Sequence, residues 1–261
     1  MQLIELIEIT DDLFYADSPS YKVILSKQKE LLDFLHPTKE INKIDNKVIT
    51  KYIKYLQDKG NSNATINSKL AYLSKILTYA HRIGKLKNKP YIPTFKVKQG
   101  KDKFLSDDEK LLMLKWCWSH KQKELANIIM IGIYTGLRIN NILSLTDANY
   151  KEDKLYIYDK KVNKNFILPV SNKIKHIITN HKEFTLSYRQ VYYLFNLMKK
   201  DLNLDKAITI HTLRHTFCSD LVNKNVTLPV IQALANHKKI QTTMRYLHCN
   251  TKQLENAINM L

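Results

Sequence analysis

The sequence predicts a mainly α-helical chain in two parts: an N-terminal helical domain, and a C-terminal, mostly helical domain interrupted by a small β-hairpin. Three observations predict it. Apolar residues recur at helical spacing over residues 18–90 and again in several segments after residue 106. A stretch rich in proline and lysine, without helical period, separates the two regions. Two short β-prone runs flank a lysine-rich turn within the second region. At 261 residues the chain is long enough for two moderate cores. The division expected is 1–90 for the first domain, 91–103 for the linker and 104–261 for the second domain, with a tail helix over 252–261.

Ser18 is suited to cap the first helix and Pro19 to occupy its first turn. Tyr21, Ile24, Leu25, Leu32 and Leu35 then share a face, and Pro37 stops the run. A second helix starts near Asp45, with Val48, Ile49, Tyr52, Ile53 and Leu56 inward, and ends at Asp58-Lys59-Gly60. A third runs from about Asn63 to Arg82 on Ile66, Leu70, Leu73, Leu77 and Ala80, with Gly84 closing it. Lys51, Lys54, Lys69 and Lys75 fall on the other faces of these helices. Residues 88–103 contain two prolines after Lys89, one glycine and five lysines, and read as a linker.

Ser106 and Glu109 form the sequence pattern of a capping box and open the second domain. Helices are expected around Trp116, over Leu125–Tyr134, briefly after Gly136, and near Ser187–Lys200, Thr209–Asn223 and Pro229–Ala235. Leu155–Tyr158 and Asn165–Leu168 are the arms of the hairpin.

The charge balance narrows the partner. There are 42 basic and 24 acidic residues, a formal net charge of +18. Residues 1–100 hold 17 basic and 10 acidic side chains, and residues 101–261 hold 25 and 14, so both regions favour a polyanion. Five of the basic residues are arginine: Arg82, Arg138, Arg189, Arg214 and Arg245. In a chain otherwise given to lysine, a retained arginine is a candidate for bidentate phosphate binding, which lysine performs poorly. Cys117, Cys218 and Cys249 form no CxxC pair, which favours a reduced, cytoplasmic setting. The uncharged run Leu125–Leu137 is far shorter than the ~20 residues of a membrane span. The acidic residues Glu5, Glu8, Asp11 and Asp12, without a basic start, do not read as a signal peptide.

The stretch from His211 to Tyr246 concentrates the chemistry. His211-Thr212-Leu213-Arg214-His215 is followed by His237 and by Tyr246, residue types suited to anion chemistry carried out by a side-chain hydroxyl. Cleaving a phosphodiester without metal requires an oriented nucleophile, neutralisation of charge on phosphorus and a proton for the leaving oxygen. His237, His248 and Cys249 lack a fourth ligand at a recognisable zinc spacing.

Thr135-Gly136-Leu137-Arg138-Ile139, His211-Thr212-Leu213-Arg214-His215-Thr216-Phe217, and His237 nine residues before Tyr246 closely resemble the boxes of the tyrosine recombinase, or phage integrase, family. Ala64-Thr65-Ile66-Asn67 through Ile83-Gly84-Lys85-Leu86-Lys87-Asn88-Lys89-Pro90 resembles its core-binding domain. The resemblance implies that Arg138 and Arg214 hold the scissile phosphate, that His211 and His237 assist, and that Tyr246 attacks to leave a 3′-phosphotyrosine and a free 5′-hydroxyl. It implies a catalytic lysine on the hairpin. Counting back from Pro169 gives Lys161, with Lys160 and Lys164 close enough to compete. It implies no metal or nucleotide cofactor, and a clamp around duplex DNA carrying specific sites.

Two positions depart from the family pattern. Asn141 stands where a Glu is usual, and Asn236 replaces a Gly before His237, where asparagine is the least costly substitute if the backbone is left-handed. In the tail, Leu254, Ala257, Ile258 and Leu261 share a helical face. The resemblance implies docking on a neighbouring protomer, within a homotetramer on two DNA sites joined through a Holliday junction. The alternatives are a topoisomerase of type IB, which shares the chemistry without pairing sites, and a DNA-binding protein that does not cut.

Overall fold

The computed structural model describes residues 1–16, 21–97, 103–159, 164–180 and 183–246. The chain divides into two compact units, Met1–Gly100 and Lys101–Leu261. The described residues are mostly helical, with one three-stranded sheet.

The first unit opens with a helix that the sequence reading did not include, α1 (Leu3–Phe14). Glu5 and Gln2 close a capping box at its start, and Leu3, Leu6, Ile7 and Thr10 turn inward. These positions follow helical spacing, but the acidic residues between them mask the stripe. The second helix, α2 (Tyr21–Leu35), buries Ile24, Gln28, Leu31 and Leu35. Leu25, expected inward, is 43% exposed. The buried stripe advances by three or four residues from Ile24 and leaves Leu25 on the flank. The expected Ser18 cap and Pro19 first turn lie outside the described residues. Gln28 donates to Asp11 at 2.7 Å, and the Tyr21 hydroxyl donates to the same carboxylate at 2.5 Å, joining α2 to α1.

Asp45 caps α3 (Asn46–Asp58), accepting from the Val48 amide at 2.9 Å, and Ser62 caps α4 (Asn63–Arg82). All five apolar positions expected to line α4 are buried, joined by Tyr72 and Ile76. Each fully buried leucine contributes about 1.5–3 kcal/mol. The expected linker begins as part of this unit: Asn67 brackets Phe95 with two 2.8 Å hydrogen bonds, while Ile92 and Phe95 pack against the core. Of the four lysines expected to face outward, Lys51, Lys54 and Lys75 are exposed. Lys69 instead pairs with Glu30 at 2.5 Å, and Lys75 lies 4.3 Å from the Phe14 and Tyr15 ring centres.

The second unit begins with the expected capping box of Ser106 and Glu109 on α5 (Asp107–Ser119). The central helix, α6 (Lys123–Thr135), buries eight of its 13 residues. It is followed by the short α7 (Ile139–Leu143) and a sheet of β1 (Tyr150–Lys151), β2 (Lys154–Asp159) and β3 (Lys164–Pro169) in antiparallel order β1-β2-β3. β2 and β3 are the expected hairpin, paired with Leu155 opposite Leu168 and Asp159 opposite Lys164. Then come α8 (Asn172–Thr179), α9 (Tyr188–Asp201), α10 (Thr212–Asn223), α11 (Leu228–Leu234) and α12 (Ile240–Met244). β1, α8 and α12 are additions to the sequence reading, each too short to establish a hydrophobic period.

α6 and α10 approach closely because Gly132 carries no side chain: a Cβ there would stand 3.0 Å from Leu213 Cδ1. Gly136 ends α6 in the left-handed conformation, with φ +64° and ψ +14°. A Cβ on it would overlap the Phe217 ring and stand 2.9 Å from Cε1. Gly136→Ala therefore combines left-handed strain with overpacking and is expected to cost about 2–4 kcal/mol. Urea unfolding reads this as a lower midpoint, and an unchanged midpoint would contradict the packing described.

Candidate active site

The site is assembled where α6 and α11 end against α10. A helix C-terminus leaves its last carbonyls without intrahelical donors and carries the negative end of the helix dipole. Arg214, in the first turn of α10, takes up both of these ends. Its Nη1 donates to the Gly136 carbonyl at 2.7 Å and its Nη2 donates to the Ala235 carbonyl. The side chain is 4% exposed. Burial, then the charge of Arg138, push its pKa down to about 10, while Cys218, Tyr246 and Asp159 act the other way. It therefore remains a cation at neutral pH.

Arg138 lies two residues beyond Gly136, at the N-cap of α7. Its Nη1 donates to Asp159 Oδ2 at 2.5 Å. Asp159 is 1% exposed and ends β2, where Leu155, Ile157 and Asp159 occupy alternate inward positions. Arg138, Asp159, His211, Asn141 and Tyr188 line an open cleft of about 680 Å³. His211 is exposed at the N-cap of α10 and meets His215 edge to face, with ring centres 4.8 Å apart.

His237 follows Asn236, whose φ of +49° is the left-handed backbone that makes asparagine a workable substitute for glycine. The His237 ring is 9% exposed and its Nδ1 lies 2.9 Å from Thr243 Oγ1. Burial first, then Arg214, Arg138, His211 and His215, push its pKa down to about 4. The ring is accordingly neutral at pH 7. Tyr246 follows α12, is 8% exposed, and packs with Phe217, Cys218, Ile231 and Ala235. Its hydroxyl lies 2.6 Å from His215 Nδ1, and its ring is parallel to that of His237 at 6.5 Å.

The structure thus brings Arg214, His237 and Tyr246 into one cluster and places Arg138 and His211 along the adjoining cleft. Lys161, its competitor Lys160, and the 252–261 tail lie outside the described residues, as do His248 and Cys249 of the discarded zinc reading. Lys164 opens β3, across from Asp159. Two residues of the site were not singled out from sequence. Asp159 carried a signal, since it continues the inward alternation of β2, where an unpaired carboxylate would be costly. His215 sits beside Arg214 and one helical turn from His211, a spacing that puts both histidines on one side of α10.

Comparison with known proteins finds family matches in both units. Residues 103–253 match the phage integrase family and residues 10–98 match the phage integrase SAM-like domain. The integrase of Escherichia phage 186 is 26% identical over 215 residues, covering 80% of this chain, which spans only 64% of that protein's length. The tyrosine recombinase XerC of Thermodesulfovibrio yellowstonii is 27% identical over 259 residues, covering 87% of this chain and 85% of that protein. A lambda integrase tetramer solved on a Holliday junction shares the fold, with a TM-score of 0.79 at 17% identity, covering 94% of this chain and 77% of that one. With its mostly helical fold and a family match across more than half its length, this chain belongs to the phage integrase family of tyrosine recombinases, enzymes that cleave and rejoin DNA.

Proposed function

We propose that this protein is a site-specific recombinase that breaks and rejoins DNA with Tyr246 as nucleophile, through a 3′-phosphotyrosine intermediate. The observation that carries this reading is the placement of the Tyr246 hydroxyl against His215, beside the buried cation Arg214. A free phenol has a pKa near 10 and attacks poorly at neutral pH. A neighbouring imidazole acceptor and guanidinium charge favour transfer of its proton as the oxygen bonds to phosphorus.

In the proposed step, Tyr246 Oη bonds to phosphorus and the bond from phosphorus to the 5′-oxygen breaks. The phenolic proton passes to His215 Nδ1, in the tautomer that carries its own proton on Nε2. Arg138 and Arg214 offer their remaining N–H donors to the non-bridging oxygens, with His211 at the edge of the same cleft. The hairpin lysine, assigned by resemblance to Lys161, protonates the leaving oxygen. Attack by a 5′-hydroxyl on the phosphotyrosine reverses these transfers and reseals the strand, so bond energy is conserved without a nucleotide. Exchange between two sites would pass through a Holliday junction in a homotetramer, with the 252–261 tail docked on a neighbour. The basic surface of both regions supports duplex DNA as the substrate, met in the cytoplasm. Target specificity would then rest on base contacts and DNA deformability.

Three measurements follow. With a nicked suicide substrate carrying the protein's own site, in EDTA, the wild type is expected to form a covalent complex that Tyr246→Phe abolishes. Loss of Arg138 or Arg214 to Ala is expected to slow its formation on the order of 10²–10³-fold. Absence of any complex on an authentic site would sink the recombinase and topoisomerase readings alike, leaving the non-cutting DNA binder. Deleting residues 252–261 is expected to leave single-site binding intact and impair pairing of two sites. Recombination undiminished by that deletion would remove the tail's role, and relaxation of supercoils without pairing would favour the topoisomerase reading.

The third concerns His237. Its folded pKa of about 4 lies below the ordinary 6.5, so between these values the unfolded chain binds more protons and stability falls as pH drops. In an NMR titration of the folded protein the His237 ring is expected to stay neutral to below pH 5. A midpoint near 6.5 would contradict its burial among cations.

A further inference from the structure

We propose that Asp159 is the positioning residue for Arg138, supplying from strand β2 the carboxylate that the α7 turn lacks. The inference rests on the recombinase reading of Arg138 and adds a residue that this reading does not use. Arg138 stands at the N-cap of a five-residue helix, on a side chain with several rotatable bonds, 21% exposed beside an open cleft. An arginine so placed loses much of its effect on a phosphate unless its guanidinium is held in one orientation before the substrate arrives.

The neighbouring polar side chain of α7 does not hold it. Asn141 lies in the first turn, where its amide N–H bonds the Arg138 carbonyl at 2.8 Å. Its side chain is 7% exposed, lines the same cleft, and its Nδ2 has no hydrogen-bond partner among the described residues. It offers no charge. Asp159 does: its carboxylate is 1% exposed and 2.5 Å from Arg138 Nη1. The strand geometry fixes it there, because the β2 alternation directs residue 159 to the side occupied by Leu155 and Ile157, and its pairing with Lys164 sets the register.

A buried carboxylate in this place is costly without a cation, so the pair is maintained as a unit. A guanidinium carries five N–H donors in a fixed plane. The bond to Asp159 uses Nη1 and sets the orientation of that plane, leaving Nη2 and Nε donors for the phosphate. The same carboxylate offsets part of the repulsion between Arg138 and Arg214, since each acts on the Arg214 guanidinium with opposite sign. Asp159 therefore fixes the geometry of one arginine and eases the coexistence of two. The position also ties the hairpin that bears the candidate lysines to the turn that bears Arg138.

The test compares wild type, Asp159→Asn, Arg138→Ala and the double variant on the suicide substrate at saturating protein. Asp159→Asn is expected to slow covalent complex formation on the order of 10²-fold while changing the DNA dissociation constant less than about threefold. In the Arg138→Ala background it is expected to cause no further loss. Adding Asn141→Glu to Asp159→Asn is expected to restore part of the rate, because it returns a carboxylate to the cleft. NMR of the arginine side chains supplies a readout independent of cleavage: the Arg138 Nη resonances are expected to be resolved in the wild type and to merge in Asp159→Asn. A wild-type rate for Asp159→Asn, an equal loss with and without Arg138, or unchanged Nη resonances would overturn the positioning role. A wild type that forms no covalent complex would instead overturn the recombinase reading, and the Nη resonances would still decide the pairing.

Discussion

The site depends on one buried cation. Arg214 is held by the terminal carbonyls of α6 and α11, and these contacts fix three segments that are distant in sequence: the turn at Gly136, the start of α10, and the loop that carries His237. Removing a guanidinium from water costs several kcal/mol, which charge-assisted hydrogen bonds to two helix C-termini offset. Gly136 is needed for the same reason, since its left-handed turn both presents the carbonyl and leaves room for Phe217. The proposed catalytic residues thus lie at the ends of helices and of a strand rather than on long loops, so their geometry follows from backbone packing.

Concentrating cations at one site has consequences for the other groups. Arg138, Arg214, His211 and His215 all disfavour a further proton on His237, and burial disfavours it more. His237 is therefore a neutral ring, able to accept or donate one hydrogen bond without adding charge, and Thr243 fixes its Nδ1 side. Asp159 is the counterweight, a buried carboxylate that balances part of this charge by pairing with Arg138. Tyr246 stands where these influences meet, against His215 and over the parallel ring of His237.

Much of the fold was legible in the sequence, because its long helices carry a regular apolar period and explicit caps. Ser106 with Glu109, Asp45 and the α4 stripe are of this kind. Asn236 was legible as a left-handed position through its residue type. α1 was missed because acidic residues interleave its inward face, and α8 and α12 because eight or five residues hold too few turns. Leu25 was misplaced by one position around a helix. At the site, the motif residues were named through resemblance, whereas the local patterns of Asp159 and His215 placed each on a face without indicating its partner. Neither the 21-residue separation of Arg138 from Asp159 nor the 31-residue separation of His215 from Tyr246 corresponds to any local spacing.

The role proposed for Tyr246 in this constellation is to become joined to DNA. Proteolysis of the covalent complex followed by mass spectrometry of the nucleotide-bearing peptide tests it most directly. The expected result is a single adducted peptide containing Tyr246, linked through a 3′-phosphate. An adduct on any other side chain, or a linkage through a 5′-phosphate, would contradict it.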